Sequence, residues 1–189
     1  GVINNVASVL GRNDTVTHLL PMLLLLLRDE TADVRLNIIS NLSVINQVVG
    51  VELLSQSLLP AIVDLSGDAK WRVRFAIIQY IPQLAEQMGK PLFNEKLSDL
   101  SLNWLGDDVY TVRRAAATNL QKLVDFFGEE WAVRTVLPRV EALKGHKSYL
   151  KRMTCLYSLQ MLIKSKAVSA KALHAHVLPA VLEMEKDTV

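Results

Sequence analysis
The residues able to hold a metal, attack a carbonyl or move a proton are few and scattered. The histidines are His18, His146, His174 and His176. His174 and His176 are two residues apart, which on a helix turns them about 200° from one another and prevents easy sharing of a metal ion. The single cysteine, Cys155, lies near Leu156, Leu159 and Leu162, the setting of a buried, inert thiol. The carboxylate doublets Asp107-Asp108 and Glu129-Glu130 have no partner spaced for acid–base work. No catalytic residue, metal site or cofactor is expected.

Chemistry of another kind recurs along the chain. Arg35, Arg74, Arg113 and Arg152 are 39 residues apart, as are Asp29, Asp68 and Asp107, with His146 in the fourth aspartate position. Stacked helical hairpins would bring the aspartate of one unit within reach of the arginine of its neighbour, a ladder of ion pairs that fixes the angle between units. Where His146 replaces aspartate, Arg152 is expected to be the less well paired arginine and the freer to meet a partner. The turns between these columns carry an aromatic ridge, Trp71, Tyr110 and Tyr149, again 39 apart, with Ala32 in the first turn. Trp, Tyr and Arg dominate the hot spots of protein interfaces, so the ridge reads either as a docking face or as cover for the edge of the helix packing.

The elements that position these columns follow from the glycines. Gly11, Gly50, Gly89 and Gly128 repeat every 39 residues, and Gly67, Gly106 and Gly145 form a second register offset by 17. Glycine is the usual residue just past a helix end, because only glycine enters left-handed backbone cheaply. Two stops per unit predict two helices per unit, and no glycine is left over for a phosphate-cradling loop. Complete units run 12–50, 51–89, 90–128 and 129–167, with partial units at 1–11 and 168–189, about nine to ten helices in a single all-α solenoid.

Helix B of each unit carries an apolar stripe. These are Val34, Ile38, Leu42 and Ile45; Val73, Ile77, Ile81 and Leu84; Val112, Ala116, Leu120 and Leu123; and Cys155, Leu159 and Leu162. Leu58, Leu59, Ile62, Val63 and Leu65 form the matching stripe of a helix A. Asp33 is placed to cap a helix B. Pro21, Pro60 and Pro138 fall inside helix A, where they should bend it, and Asp99 stands in the fourth such position. Pro179 is 41 past Pro138 and Ala167 replaces a glycine, so the last unit is slipped by two residues.

Half of the 189 residues are hydrophobic and mean hydropathy is +0.23, which excludes disorder. A formal charge of +2 gives no strong pull toward nucleic acid or an anionic membrane, and Lys144, Lys147, Lys151 and Arg152 make only a short basic patch. The apolar run 22–27 is too short to span a bilayer. One cysteine favours a reducing compartment, cytoplasmic and also nuclear. Both ends look cut from a longer array, which predicts exposure of Val2, Val6, Val9 and Leu10 at one end and of Val177, Leu178, Val181 and Leu182 at the other, with end-to-end self-association.

Within a unit the order is proline, aspartate eight residues on, then Val-Arg thirteen and fourteen on, an order that resembles the HEAT repeat. The runs 33–42, 54–63 and 68–74, with Glu130-Trp131-Ala132, Tyr149-Leu150 and Arg152-Met153-Thr154, resemble more narrowly the scaffold (A) subunits of type 2A serine/threonine phosphatases. The similarity is strong through about residue 155 and weak after Ser165. The resemblance implies a stretch of a fifteen-repeat horseshoe without enzyme activity, its complete units matching the tenth through thirteenth repeats. It further implies that Trp71, Arg72, Val109, Tyr110, Tyr149 and Leu150 contact the phosphatase catalytic subunit, with the surface for regulatory B-type subunits mostly outside this stretch. A karyopherin-like transport receptor or another HEAT-repeat interaction module is the alternative; it would favour acidic inner patches that a near-neutral chain does not show. Phosphatase activity of the chain itself is not expected, since it lacks the clustered His, Asp and Asn that hold two metals.

Overall fold
A computed structural model describes residues 9–50 and 54–187, all helix and turn. Among the described residues no helix is long and apolar enough to cross a membrane. The chain divides into two compact units, Gly1–Met88 and Gly89–Val189. Val2 and Val6, expected at an exposed end, lie outside the described residues.

In the first unit, a π turn at Thr15–Leu19 leads into α1 (Leu20–Leu26), and the chain returns through α2 (Ala32–Ile39) and α3 (Leu42–Val49). A second π turn, Leu54–Leu58, leads into α4 (Leu59–Ser66), followed by α5 (Trp71–Lys96). The core is aliphatic: Leu23, Leu27, Leu42, Ile45, Leu58, Ile62, Ile77 and Ile81 are all buried. Val63, counted in the helix A stripe, is exposed instead.

The second unit begins where α5 breaks at Gly89 (φ 71°, ψ 167°). After α5 come α6 (Ser98–Asn103) and a short 3-10 turn, then the long α7 (Tyr110–Phe127). The next hairpin is α8 (Glu129–Trp131), a π turn at Ala132–Val136, α9 (Leu137–Glu141) and α10 (Tyr149–Lys164). A last helix A follows as α11 (Ala170–Ala172), a π turn at Leu173–Val177 and α12 (Leu178–Met184). Helices α7 and α10 pack along their lengths through Val112, Ala116, Leu120, Leu123, Cys155 and Leu159, all buried. Phe93, Phe127 and Trp131 form an aromatic cluster, with the Trp131 indole donating to Asn94 Oδ1 at 2.7 Å.

The two glycine registers do different jobs, which corrects the reading of both as left-handed stops. Gly11, Gly50, Gly89 and Gly128 have φ between 71° and 87°. At Gly128 ψ is 175°, backbone that is essentially glycine-only, and this one residue joins the end of α7 to the start of α8. Gly67 has φ −100°, and Gly106 and Gly145 also lie outside positive φ. The chain leaves helix A there through ordinary backbone, so the second register reports a turn without requiring glycine.

The prolines inside helix A each follow a widened turn. Pro21, Pro60, Pro138 and Pro179 each stand at the second residue of an α segment directly after a π turn. The Leu20, Leu137 and Leu178 amides bond the carbonyl five residues back. Proline has no N–H and its ring crowds the carbonyl four residues back; widening the preceding turn makes room without ending the helix. Where Asp99 replaces proline the π turn is absent, and the helix instead interrupts at Leu97 (φ −127°).

Three smaller corrections concern helix ends. Thr31, not Asp33, is the N-cap of α2, and Asp33 lies in the first turn, where its charge faces the positive end of the helix dipole. Val177 is buried, while Leu178 and Leu182 are exposed. At the slipped boundary, residues 165–169 replace the single glycine link. Asp125 Oδ1 accepts from Ser165 Oγ (2.6 Å) and Lys166 N (2.9 Å), and Ser169 Oγ accepts from Ala172 N (3.2 Å) to cap α11. Five ordinary residues thus make the reversal that one glycine makes, and the unit lengthens by two residues.

Candidate functional site
Four turns between helix A and helix B share one set of hydrogen bonds. Each column arginine donates through Nη1 to two carbonyls of its own turn, six and five residues back: Arg35 to Asp29 and Glu30, Arg74 to Asp68 and Ala69, Arg113 to Asp107 and Asp108, Arg152 to His146 and Lys147. The guanidinium thereby satisfies carbonyls that the end of helix A leaves without helical partners. Each aspartate Oδ1 accepts from the amide two residues on, Asp29 from Thr31, Asp68 from Lys70 and Asp107 from Val109, at 2.7–2.8 Å. In the fourth turn His146 Nδ1 accepts from Ser148 N at 2.9 Å, which leaves the ring proton on Nε2. A histidine reproduces the turn, because what the turn needs is a short side-chain acceptor.

Charge pairing differs from turn shape. Arg35 Nε lies 3.0 Å from Asp68 Oδ2 and Nη2 donates to Oδ1 at 3.3 Å, both side chains 11% exposed. The pairing therefore runs from an arginine to the aspartate of the following turn. That direction corrects the expectation for Arg152, whose Nε meets Asp187 Oδ2 at 2.6 Å. Asp187 is the column position of the slipped unit, 41 past His146. The arginine that faces the missing carboxylate is Arg113, 2% exposed, whose Nε donates to Thr154 Oγ1 at 3.1 Å.

The turns present their aromatic residues to solvent to different extents. In the first unit Trp71 is half-buried edge-on against Phe75, with the exposed Arg72 guanidinium 4.9 Å from its ring centre. In the second unit Tyr110 is 60% exposed, Tyr149 52% and Leu150 44%, while Val109 is half-buried. Tyr110, Tyr149 and Leu150 line one groove between α7 and α10, together with Arg114, Met153, Thr154 and Tyr157. Arg114 Nη1 donates to the Tyr110 hydroxyl at 3.0 Å and its guanidinium lies 5.5 Å from the Tyr157 ring centre. Those hydroxyls hold the Arg114 proton more tightly than usual, and the Thr118 hydroxyl, with Arg114 beside it, lowers the Tyr157 phenol.

Met153, Tyr157 and Arg114 are site residues that the 39-residue period does not point to. Their signal is a second period, Tyr149, Met153 and Tyr157 at spacings of four, which puts three large side chains on one exposed face of α10. Cys155, beside them on the opposite face, is fully buried, and burial pushes its thiol up to about 11, away from nucleophilic use. None of these groups is arranged for covalent chemistry; rings, aliphatic side chains and a stacked guanidinium are arranged for contact.

A family model described as PPP2R1A-like HEAT repeat matches residues 13–89. Residues 13–89 are thus similar to PPP2R1A-like HEAT repeats. It is 53% identical over 47 residues to the beta isoform of the A-type 65 kDa regulatory subunit of human serine/threonine-protein phosphatase 2A, a stretch that is 25% of this chain and 8% of that relative. The mouse protein of the same description is 56% identical over 41 residues, 22% of this chain and 7% of the relative. The HEAT-repeat match contains the first two turns, with Arg35, Asp68, Trp71 and Arg72.

Proposed function
We propose that the chain is a non-catalytic scaffold that docks a serine/threonine phosphatase catalytic subunit on its intra-repeat turns and helps assemble it with regulatory subunits. The observation that carries this reading is the solvent exposure of Tyr110, Tyr149 and Leu150 at the tips of two turns whose backbones are tied down by Arg113 and Arg152. A rigid turn with an aromatic tip loses little conformational entropy on binding, which favours interface anchors of this kind. The HEAT-repeat match and the name of its relatives supply the partner class.

Capture of purified type 2A phosphatase catalytic subunit by the full chain tests the proposal. The Tyr110→Ala, Tyr149→Ala double variant should bind at least about 30-fold more weakly, as expected for loss of about 2 kcal/mol of anchor contact. Both side chains are largely exposed, so the circular dichroism spectrum should be unchanged. Failure of the parent chain to capture the catalytic partner, or equal capture by the variant, would count against the scaffold reading.

A further inference from the structure
The groove between α7 and α10 encloses about 190 Å³. That is below the roughly 300 Å³ at which drug-sized ligand pockets begin, and it suits a single inserted side chain. Its walls are Tyr110, Tyr149, Leu150, Met153 and Tyr157, with Arg114 as the lining residue that carries a full charge. Among the described residues no carboxylate lines it. The exposed or partly exposed Arg28, Arg134, Arg139 and Arg152 each sit against an aspartate or glutamate, and so does the more buried Arg35. Arg114, itself exposed, instead has the Tyr110 hydroxyl and the Tyr157 side chain as its neighbours. A guanidinium stacked on a ring is preorganised, weakly hydrated and able to take a carboxylate through two parallel bonds.

We propose that this groove seats an acidic segment of a protein partner, with one aliphatic or aromatic side chain inserted among Tyr149, Met153 and Tyr157 and a neighbouring carboxylate on Arg114. The inference rests on reading the turns as the docking face and names the chemistry of what docks there. Charge complementarity selects the acid, and the aliphatic walls select the anchor. A nucleic acid is disfavoured because its affinity is built from many neutralised phosphates, and the groove offers one cation.

The test is an NMR titration of the full chain, methyl-labelled at leucine and methionine, with acetylated and amidated tetrapeptides. Glu-Glu-Leu-Glu should shift the Leu150 and Met153 methyl signals saturably, while Lys-Lys-Leu-Lys and Glu-Glu-Ser-Glu should not. Arg114→Gln should weaken the acidic peptide at least about 5-fold, and Met153→Gln should do the same by putting a polar amide into the apolar wall. Both residues are exposed, and an unchanged spectrum away from the groove will show that the variants fold. No saturable shift, equal shifts from the basic peptide, indifference to Arg114→Gln, or stronger shifts from a short oligothymidylate would overturn the proposal. Capture of the catalytic subunit with no peptide effect would sink the groove alone. Peptide binding without capture would sink the scaffold reading and leave the acidic-segment chemistry standing.

Discussion

The second and fourth turns are built on the same hydrogen bonds and differ in one charge. Asp68 caps its turn through the Lys70 amide and also receives Arg35 of the preceding turn. His146 caps its turn through the Ser148 amide and has no carboxylate for the preceding arginine, so Arg113 bonds Thr154 instead. Turn shape and inter-repeat pairing are thus separable tasks that an aspartate happens to combine. The fourth turn keeps the geometry needed to present Tyr149 and Leu150 while giving up a buried ion pair. A repeat array can therefore vary its internal coupling without disturbing its exposed aromatic ridge.

The largest test of this comparison is Asp68→Ala. It removes both tasks at once and leaves the Arg35 charge buried and unpaired, at a cost of about 3–5 kcal/mol, read as a lower urea midpoint. Asp68→Asn keeps the acceptor for Lys70 and isolates the charge; if both variants unfold at the parent midpoint, the ion pair is incidental. Next in size is Gly128→Ala, a control outside the turns. Nothing lies within 4 Å of the added Cβ, so its expected cost of about 1–3 kcal/mol comes from backbone conformation alone. A smaller and opposite effect is expected from His146→Asp, which supplies Arg113 with the carboxylate that Asp68 gives Arg35. Thermal unfolding should show a gain of about 1 kcal/mol; no gain would mean that Thr154 and the turn carbonyls already satisfy Arg113. The smallest effect belongs to Gly145→Ala, directly before His146. With φ outside the positive range and open space around the new methyl, the midpoint should stay within about 0.5 kcal/mol of the parent. A large loss there would show that the second glycine register does shape the turn.

Much of the aromatic ridge was legible from spacing, because Tyr110 and Tyr149 share the period of the helix ends. The groove was not. Arg114 reads as one more charge beside Arg113, and only the packing of α7 against α10 brings it to Tyr157. Trp71 shared the period too, yet it lies half-buried against Phe75, a neighbour four residues along its own helix. One period thus placed residues of unequal exposure, since exposure depends on which neighbouring side chains cover each ring.

What the sequence by itself determined is the repeat: helix ends, turn acceptors and apolar stripes are set by local backbone chemistry, and local chemistry repeats with the residues that cause it. The two-residue slip belongs here as well, since Pro179 and the missing glycine at Ala167 report it without coordinates. Tertiary structure decided which way the ion pairs run, and so whether His146 deprives Arg113 or Arg152. It also decided that three tyrosines and an arginine close on one groove. Each of these turns on the offset between neighbouring hairpins. That offset is a balance of packing across a whole helix face, and no single residue type encodes it.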